Sequence, residues 1–480
     1  MGNFIRLSIA VVFVLGLLAF QKKDNGKLHT EIDHYASRIG KRYGIPGMSI
    51  AIIKDGKVIY QKNHGKANIE HNVPVSDSSI FRIYSITKPI VGLAIFQLIE
   101  QGKIAVEDEL GNYLDDLPTA WQGITLVSLL RHTSGLPGMK NNERLPEAEL
   151  KEKIYADSIH FEQGEQFEYT PTNHYLLSRV IEKVAGKPME EFVLQNQFGE
   201  NRQNGTAFFS TDSREIIPNR VTFYSPFNEE WKFMIDHPFG ARYISGTNGL
   251  NLTMDAFIEW DTDFREGKLL SEAYKTSMFE AVKLKEDNRL WTYFGNERVV
   301  NKHVSYGFSG SMTTVYRYFP EDNLSIIYLS NGFRTWYDVE HTINHLASLV
   351  DSDIVDYQVA TFESLLETAL SNLSEYTSAY QSLAKNPKYE QVNLEFHTNN
   401  IGYILLNKLR EIEKAIAVFT INTAQNPKSS NGFDSLAEAH EINGNVEKAI
   451  ENYSKALKLS KDEKNNERLK LKLEELEELK

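Results

Sequence analysis

The stretch Phe81-Arg-Ile-Tyr-Ser85-Ile-Thr-Lys88-Pro-Ile-Val-Gly-Leu-Ala-Ile-Phe-Gln-Leu-Ile-Glu100 decides how the rest of the chain is read. From Ser85 onward apolar residues fall at helical spacing, so a helix starts at or near Ser85 and Lys88 lies one turn later on the same face. Pro89 suits that placement, because the first N–H groups of a helix have no intrahelical acceptor to lose. A hydroxyl at a helix N-terminus feels the positive end of the dipole, which favours negative charge on its oxygen and on a bound acyl group. A desolvated Lys88 could accept the serine proton. The spacing alone is weak, since both residue types are common and serine often opens helices. Its weight comes from what surrounds it.

On the N-terminal side, Met48-Ser-Ile-Ala-Ile-Ile53 and Val58-Ile-Tyr60 flank a turn containing Asp55-Gly56, which predicts a hairpin. A second pair, Thr313-Thr-Val-Tyr-Arg-Tyr-Phe319 and Leu324-Ser-Ile-Ile-Tyr-Leu329, flanks Pro320-Glu-Asp-Asn323 near the other end. Early and late hairpins around a helical middle predict an α+β fold, with an antiparallel sheet built from both chain ends, flanked by helices and interrupted by an inserted helical region.

Further landmarks follow in order. They are Gln101-Gly-Lys103 with Glu107-Asp-Glu109, Ile124-Thr-Leu126 before His132-Thr-Ser-Gly-Leu-Pro137, Phe167-Glu-Tyr169-Thr-Pro-Thr-Asn-His-Tyr-Leu-Leu177, Ile181-Glu-Lys-Val-Ala-Gly-Lys187, and Phe319-Pro-Glu-Asp with Leu329-Ser-Asn331. Over residues 28–345 this ordered set resembles the serine β-lactamase and penicillin-binding-protein superfamily, in its class C, esterase and D-peptidase branch. The resemblance implies a β-lactamase/transpeptidase-like fold, Ser85 as nucleophile, Lys88 as its base and Tyr169 as a phenol sharing proton transfer. It implies amide or ester substrates, among them D-amino-acid peptides, β-lactams and small esters, and no cofactor.

Two departures stand out. The branch usually carries Tyr-x-Asn, and this chain has Tyr169-Thr170-Pro171, which removes an amide able to hold substrate and lysine. The third motif usually places a His or Lys on a core strand facing the serine; here Val304-Ser-Tyr-Gly-Phe-Ser-Gly-Ser-Met312 offers neither. Spacing to Pro320 favours Ser305-x-Gly307, Ser-Gly-Ser chemistry favours Phe308-Ser309-Gly310, and both registers stay open. Ser305, Gly307, Ser309 and Gly310 are therefore candidates for substrate binding and for the oxyanion N–H, which needs no cation. His132-Thr-Ser-Gly135 reads as a turn in which Gly135 supplies a positive φ. His341 and His345, at i and i+4 on a helix, have zinc-like spacing, but the preceding glutamate is misplaced and no third ligand is apparent, so they read as helix-surface histidines and no metal is expected.

The 480 residues contain no cysteine, which excludes disulfides, thiolate metal sites and a lipidated N-terminal cysteine. A formal charge of −13 disfavours nucleic acid and anionic membrane surfaces as partners. Residues 1–22, with Arg6 ahead of the apolar run Leu7–Phe20, read as a signal peptide or an uncleaved anchor. Either places the rest outside the cytoplasm, in the periplasm or beyond. Residues 28–350 form the hydrolase-like domain and residues 351–395 a helical connector. In residues 396–480, Glu413-Lys-Ala-Ile416 recurs as Glu447-Lys-Ala-Ile450 and Phe419 as Tyr453, a period of 34 expected for tetratricopeptide repeats. Ala415, Pro427, Phe433, Leu436, Ala437, Gly444, Ala449 and Ala456 fit that pattern, and the charged stretch Lys461–Lys480 would cap the stack. Such a tail is either a protein-docking platform or a buttress. Two functions are thus open: a serine hydrolase working through an acyl-enzyme on a small-molecule or peptide substrate, or a catalytically impaired binding protein whose repeats dock a protein partner.

Overall fold

The computed structural model describes residues 26–139, 145–212, 214–224, 241–282, 290–334 and 338–478, so the apolar N-terminal run lies outside the described residues. Two compact units divide the chain, Met1–Ile354 and Val355–Lys480.

The first unit is organised by an eight-stranded antiparallel sheet. Strand β1 (Gly47–Lys54) turns into β2 (Lys57–Asn68) through Asp55 and Gly56, at φ 50° and 73°. Two consecutive left-handed residues are what a short hairpin needs to match strand twist, and Asp-Gly supplies them at low cost. β1 also pairs with β11 (Leu324–Ser330), so the first and last strands lie side by side near the middle of the sheet. Beyond them run β10 (Thr314–Phe319), β9 (His303–Gly310), β8 (Gly295–Val300) and β7 (Leu290–Thr292); β3 (Val73–Pro74) closes the opposite edge.

The alternation along these strands sorts side chains onto two faces. Ile50, Ile52, Ile326, Tyr328 and Val315 pack with Ile32, Tyr35 and Ile39 of the helical residues 26–43 and with Ile343 and Leu346. On the other face Ala51, Ile327, Leu329, Tyr316 and Phe308 join a larger core around the helix α1 (Thr87–Glu100). Residues 87–98 are buried around the whole circumference of α1, as an all-round apolar helix must be. A second, three-stranded sheet orders β4 (Ile80–Arg82), β6 (Leu250–Thr253) and β5 (Ala207–Phe209), with β6 in the middle. The helical insertion between the hairpins includes α2 (Pro171–Ala185), α3 (Ser245–Asn248) and α4 (Met254–Arg265); α5 (Val339–Val350) follows the last strand. His341 and His345 are half-buried on α5, where the His345 ring lies 4.1 Å from that of Tyr35.

The second unit is entirely helical among its described residues. The segment read as a connector is continuous with the helices beyond it: Leu365, Leu366, Tyr376 and Tyr380 share one apolar core with Leu394, Ile401, Leu405 and Phe419. These residues need the later helices to be buried at all. The helices Ile412–Gln425 and Val446–Leu459 start 34 residues apart, and Ala415, Phe419, Ala449 and Tyr453 are buried on them at matching positions. Gly402 shows why one small residue matters here: an added Cβ would stand 2.3 Å from the Phe419 ring. The fold is thus α+β, with an antiparallel sheet, flanking helices and a C-terminal helical tail.

Candidate active site

β4 delivers the chain to Ser85. Its pairing with β6 continues past the last strand residue, as Ile83 N–H donates to Leu250 O at 3.0 Å. Tyr84 then takes φ 48°, a left-handed conformation that costs an aromatic residue of order 1–3 kcal/mol. Its surroundings hold it there: the Arg82 guanidinium lies 5.1 Å over its ring and Phe223 is 5.7 Å away. Ser85 sits in the tight turn Tyr84–Ile86 that runs directly into α1, so its hydroxyl and Lys88 lie where the helical spacing predicted.

Lys88 is 4% exposed. Its Nζ donates to Ser85 Oγ at 3.2 Å and to the Thr247 carbonyl at 2.8 Å, and it lies 4.9 Å from the centroid of the Tyr169 ring. The Tyr169 hydroxyl donates to the same Ser85 Oγ at 2.9 Å. With 41% of its surface exposed, Tyr169 is no core aromatic. The three residues singled out in the sequence therefore meet at one oxygen. Thr247 was not singled out; it acts through its backbone, and α3 holds it there because the adjoining β6 pairs with β4.

The residues after Tyr169 explain the missing asparagine. Thr170 caps α2 by accepting from Thr172 N–H at 3.3 Å, and Pro171 stands at the first helical position, where its fixed φ and absent N–H are favourable. Asn173, one step further, is buried and turned to other work: its Nδ2 donates to His132 Nδ1 at 3.0 Å and its Oδ1 accepts from Ser134 Oγ at 2.7 Å. His132 takes φ 56° and Gly135 φ 70°, so His132-Thr-Ser-Gly135 is the turn expected of it. Its imidazole, however, lies behind the Ser85, Lys88 and Tyr169 cluster, 4.7 Å from the Tyr169 ring and stacked 5.3 Å from His174. Burial, and next the charge of Lys88, hold His132 well below the usual imidazole range. Burial, then His132 and then Lys88, do the same to His174. Both rings are neutral at neutral pH.

β9 settles the register left open in the sequence. Tyr306 pairs across from Tyr318 and Phe308 from Tyr316, and all four belong to the core shared with α1. Phe308 faces Tyr169, with centroids 5.9 Å apart, and Trp291 at 5.6 Å. Gly310, on the same face, approaches the Ser85 turn so closely that a Cβ would meet Ile83 O at 2.2 Å and Tyr84 Cβ at 3.0 Å. Ser305, Gly307 and Ser309 alternate onto the opposite face. There Ser305 Oγ donates to Arg298 O at 3.4 Å, Gly307 lies across from Arg317, and Ser309 hydrogen-bonds the Glu340 carboxylate. Of the four β9 candidates, only Gly310 borders Ser85; the side chains of Ser305 and Ser309 cannot reach it, because a one-residue step on a strand reverses the face. The motif position that usually carries a cation holds Phe308.

A family model described as Beta-lactamase matches residues 32–349. Penicillin-binding protein 4* of Bacillus subtilis (strain 168) is 26% identical over 324 residues, which are 61% of this chain and 69% of that protein. Protein flp of Staphylococcus aureus (strain N315) is 29% identical over 182 residues, 35% of this chain and 36% of its own length. Among solved structures, the octameric penicillin-binding protein homologue from Pyrococcus abyssi superposes with a TM-score of 0.61 at 23% identity, covering 72% of this chain and 81% of that one. The matched segment contains Ser85, Lys88, Tyr169 and the whole of β9, and the chain belongs to the beta-lactamase family.

Proposed function

We propose that the protein is a serine hydrolase that cleaves amide or ester bonds through an acyl-enzyme. One observation carries this reading: Ser85 Oγ is contacted by both Lys88 Nζ, at 3.2 Å, and the Tyr169 hydroxyl, at 2.9 Å. A nucleophile within reach of a base that a third group orients is the arrangement covalent catalysis needs. In the amine form Lys88 accepts the Ser85 proton as Oγ attacks the substrate carbonyl. The Thr247 carbonyl keeps Nζ in place, and its hydrogen bond becomes charge-assisted once Nζ is an ammonium. The oxyanion is met by the Ser85 N–H and by a backbone N–H at the Gly310 end of β9. Collapse expels the leaving group, which takes its proton through Tyr169 and Lys88. A water activated by the same pair then releases the acyl group. Every step uses groups of this chain.

D-amino-acid peptides, β-lactams and small esters are the substrate classes the family suggests, and the site is proposed to act outside the cytoplasm. The test is covalent labelling by a fluorophosphonate and by a fluorescent penicillin, on wild type and on Ser85→Ala. Labelling by either probe, lost in the alanine variant, is expected. If neither probe labels the wild type, the alternative of a catalytically silent docking protein takes its place.

A further inference from the structure

We propose that this site selects substrates that carry no carboxylate, and that Phe308 sets the selection. The inference rests on the hydrolase reading above and adds the chemistry of what is accepted.

The wall beside Tyr169 is aromatic. Phe308 and Trp291 each stack against Tyr169 and are tilted 54° to one another, and Phe167 lies on Trp291 with centroids 4.4 Å apart and planes 17° from parallel. Ring faces present the negative side of their quadrupole, so an anion placed there is repelled while it loses its hydration. Recognising a carboxylate requires a cation or several convergent donors. Among the described residues the cations on elements flanking the site are engaged. Lys88 is bound to Ser85 and Thr247, and Arg82 donates to Asn248 O and Oδ1, each at 2.8 Å. Arg131 lies 3.9 Å over the Tyr293 ring and donates to Glu280 O. Arg298 on β8 and Arg317 on β10 stand on the far face of the sheet with Glu340. The whole chain, at −13, also disfavours anions. An uncharged ester or amide fits: an apolar group beside Phe308 and the exposed Tyr169 ring needs no counter-charge, and the carbonyl is left to Ser85.

Two matched ester pairs test this. In the first, phenyl and meta-carboxyphenyl esters of N-acetyl-D-alanine differ by a carboxylate on the leaving group. In the second, phenyl phenylacetate and phenyl (para-carboxyphenyl)acetate differ by one on the acyl group. Wild type should prefer the uncharged member of both pairs by roughly tenfold or more in kcat/KM. Phe308→Lys should narrow or reverse that ratio by about tenfold in at least one pair. Phe308→His keeps a ring against Tyr169 and Trp291, and should move the ratio further at about pH 6 than at about pH 8. If wild type is labelled yet hydrolyses the carboxylate esters as well as their partners, the selection is overturned and the hydrolase stands. If the ratio stays fixed in both labelled variants, Phe308 is not the selector. If Ser85 is never labelled, both readings fall.

Discussion

Tyr169 brings two separable things to the site, a hydroxyl on Ser85 Oγ and a ring packed among Lys88, His132, Trp291 and Phe308. Tyr169→Phe removes only the first. It should lower kcat by about 100- to 1000-fold, in the range of a lost proton-transfer group, while KM and the urea midpoint stay close to wild type. His132 and His174 carry a different prediction. Both pKa values are lower in the folded protein than in the unfolded chain, so between the folded value and about 6.5 the unfolded state binds more protons. Stability is therefore whole above about pH 6.5 and falls as the pH drops below it, by about 1.4 kcal/mol per pH unit for each ring. Urea midpoints at about pH 7.5 and pH 5.5 measure the slope, and His174→Gln should remove close to one ring's share of it. These residues differ in how well the sequence disclosed them. That Ser85, Lys88 and Tyr169 meet could be read because each brings a side chain of recognisable reactivity. Thr247 could not, since a backbone carbonyl has no residue signature and Thr247 lies 159 positions from Lys88. His132 gave away its turn and not its imidazole's place behind Tyr169.

The hairpin β9–β10 is held from behind by a buried ion pair. Arg317, 1% exposed, donates Nε and Nη2 to the Glu340 carboxylate on α5, each at 3.1 Å, and its remaining donors to Asn296 O and Oδ1. That charge holds the Glu340 carboxyl below the ordinary carboxylate range despite the burial that opposes it. Arg317→Met should cost about 3–5 kcal/mol in urea unfolding by stranding Glu340, and the double variant with Glu340→Leu should cost less than the single one. On the near face, Gly310→Ala should lower both stability and Ser85 labelling, because its Cβ has no room against Ile83 O. The strands themselves were legible from alternation and from Asp55-Gly56. The register of β9 was not: two Gly-containing segments compete over residues 305–310, and the choice rests on Phe308 pairing across from Tyr316, a contact between strands that no local pattern encodes.

At the scale of the whole molecule, each unit buries its own apolar cores. Damage to one should leave the chemistry of the other intact. Gly402→Ala, which forces a methyl into the Phe419 ring, should lower the unfolding temperature of residues 355–480 by an amount equivalent to about 1–3 kcal/mol. Fluorophosphonate labelling of Ser85 should survive at temperatures where that unit has melted. The sequence showed the tail's period of 34 but not where the tail begins, because residues 357–385 have ordinary helical spacing and reveal their partners only when Leu394, Ile401 and Phe419 are packed against them.

The pairing of β1 with β11 has a consequence for how the protein is made. Met48 finds its neighbour in Ser330, so the middle of the sheet cannot assemble until nearly three hundred further residues have left the ribosome. At translation rates of roughly 5–20 residues per second, β1 waits for about 15–60 seconds with one edge unpaired. The middle of the sheet is thus kept open throughout that interval, and the delay is written into the order of the strands.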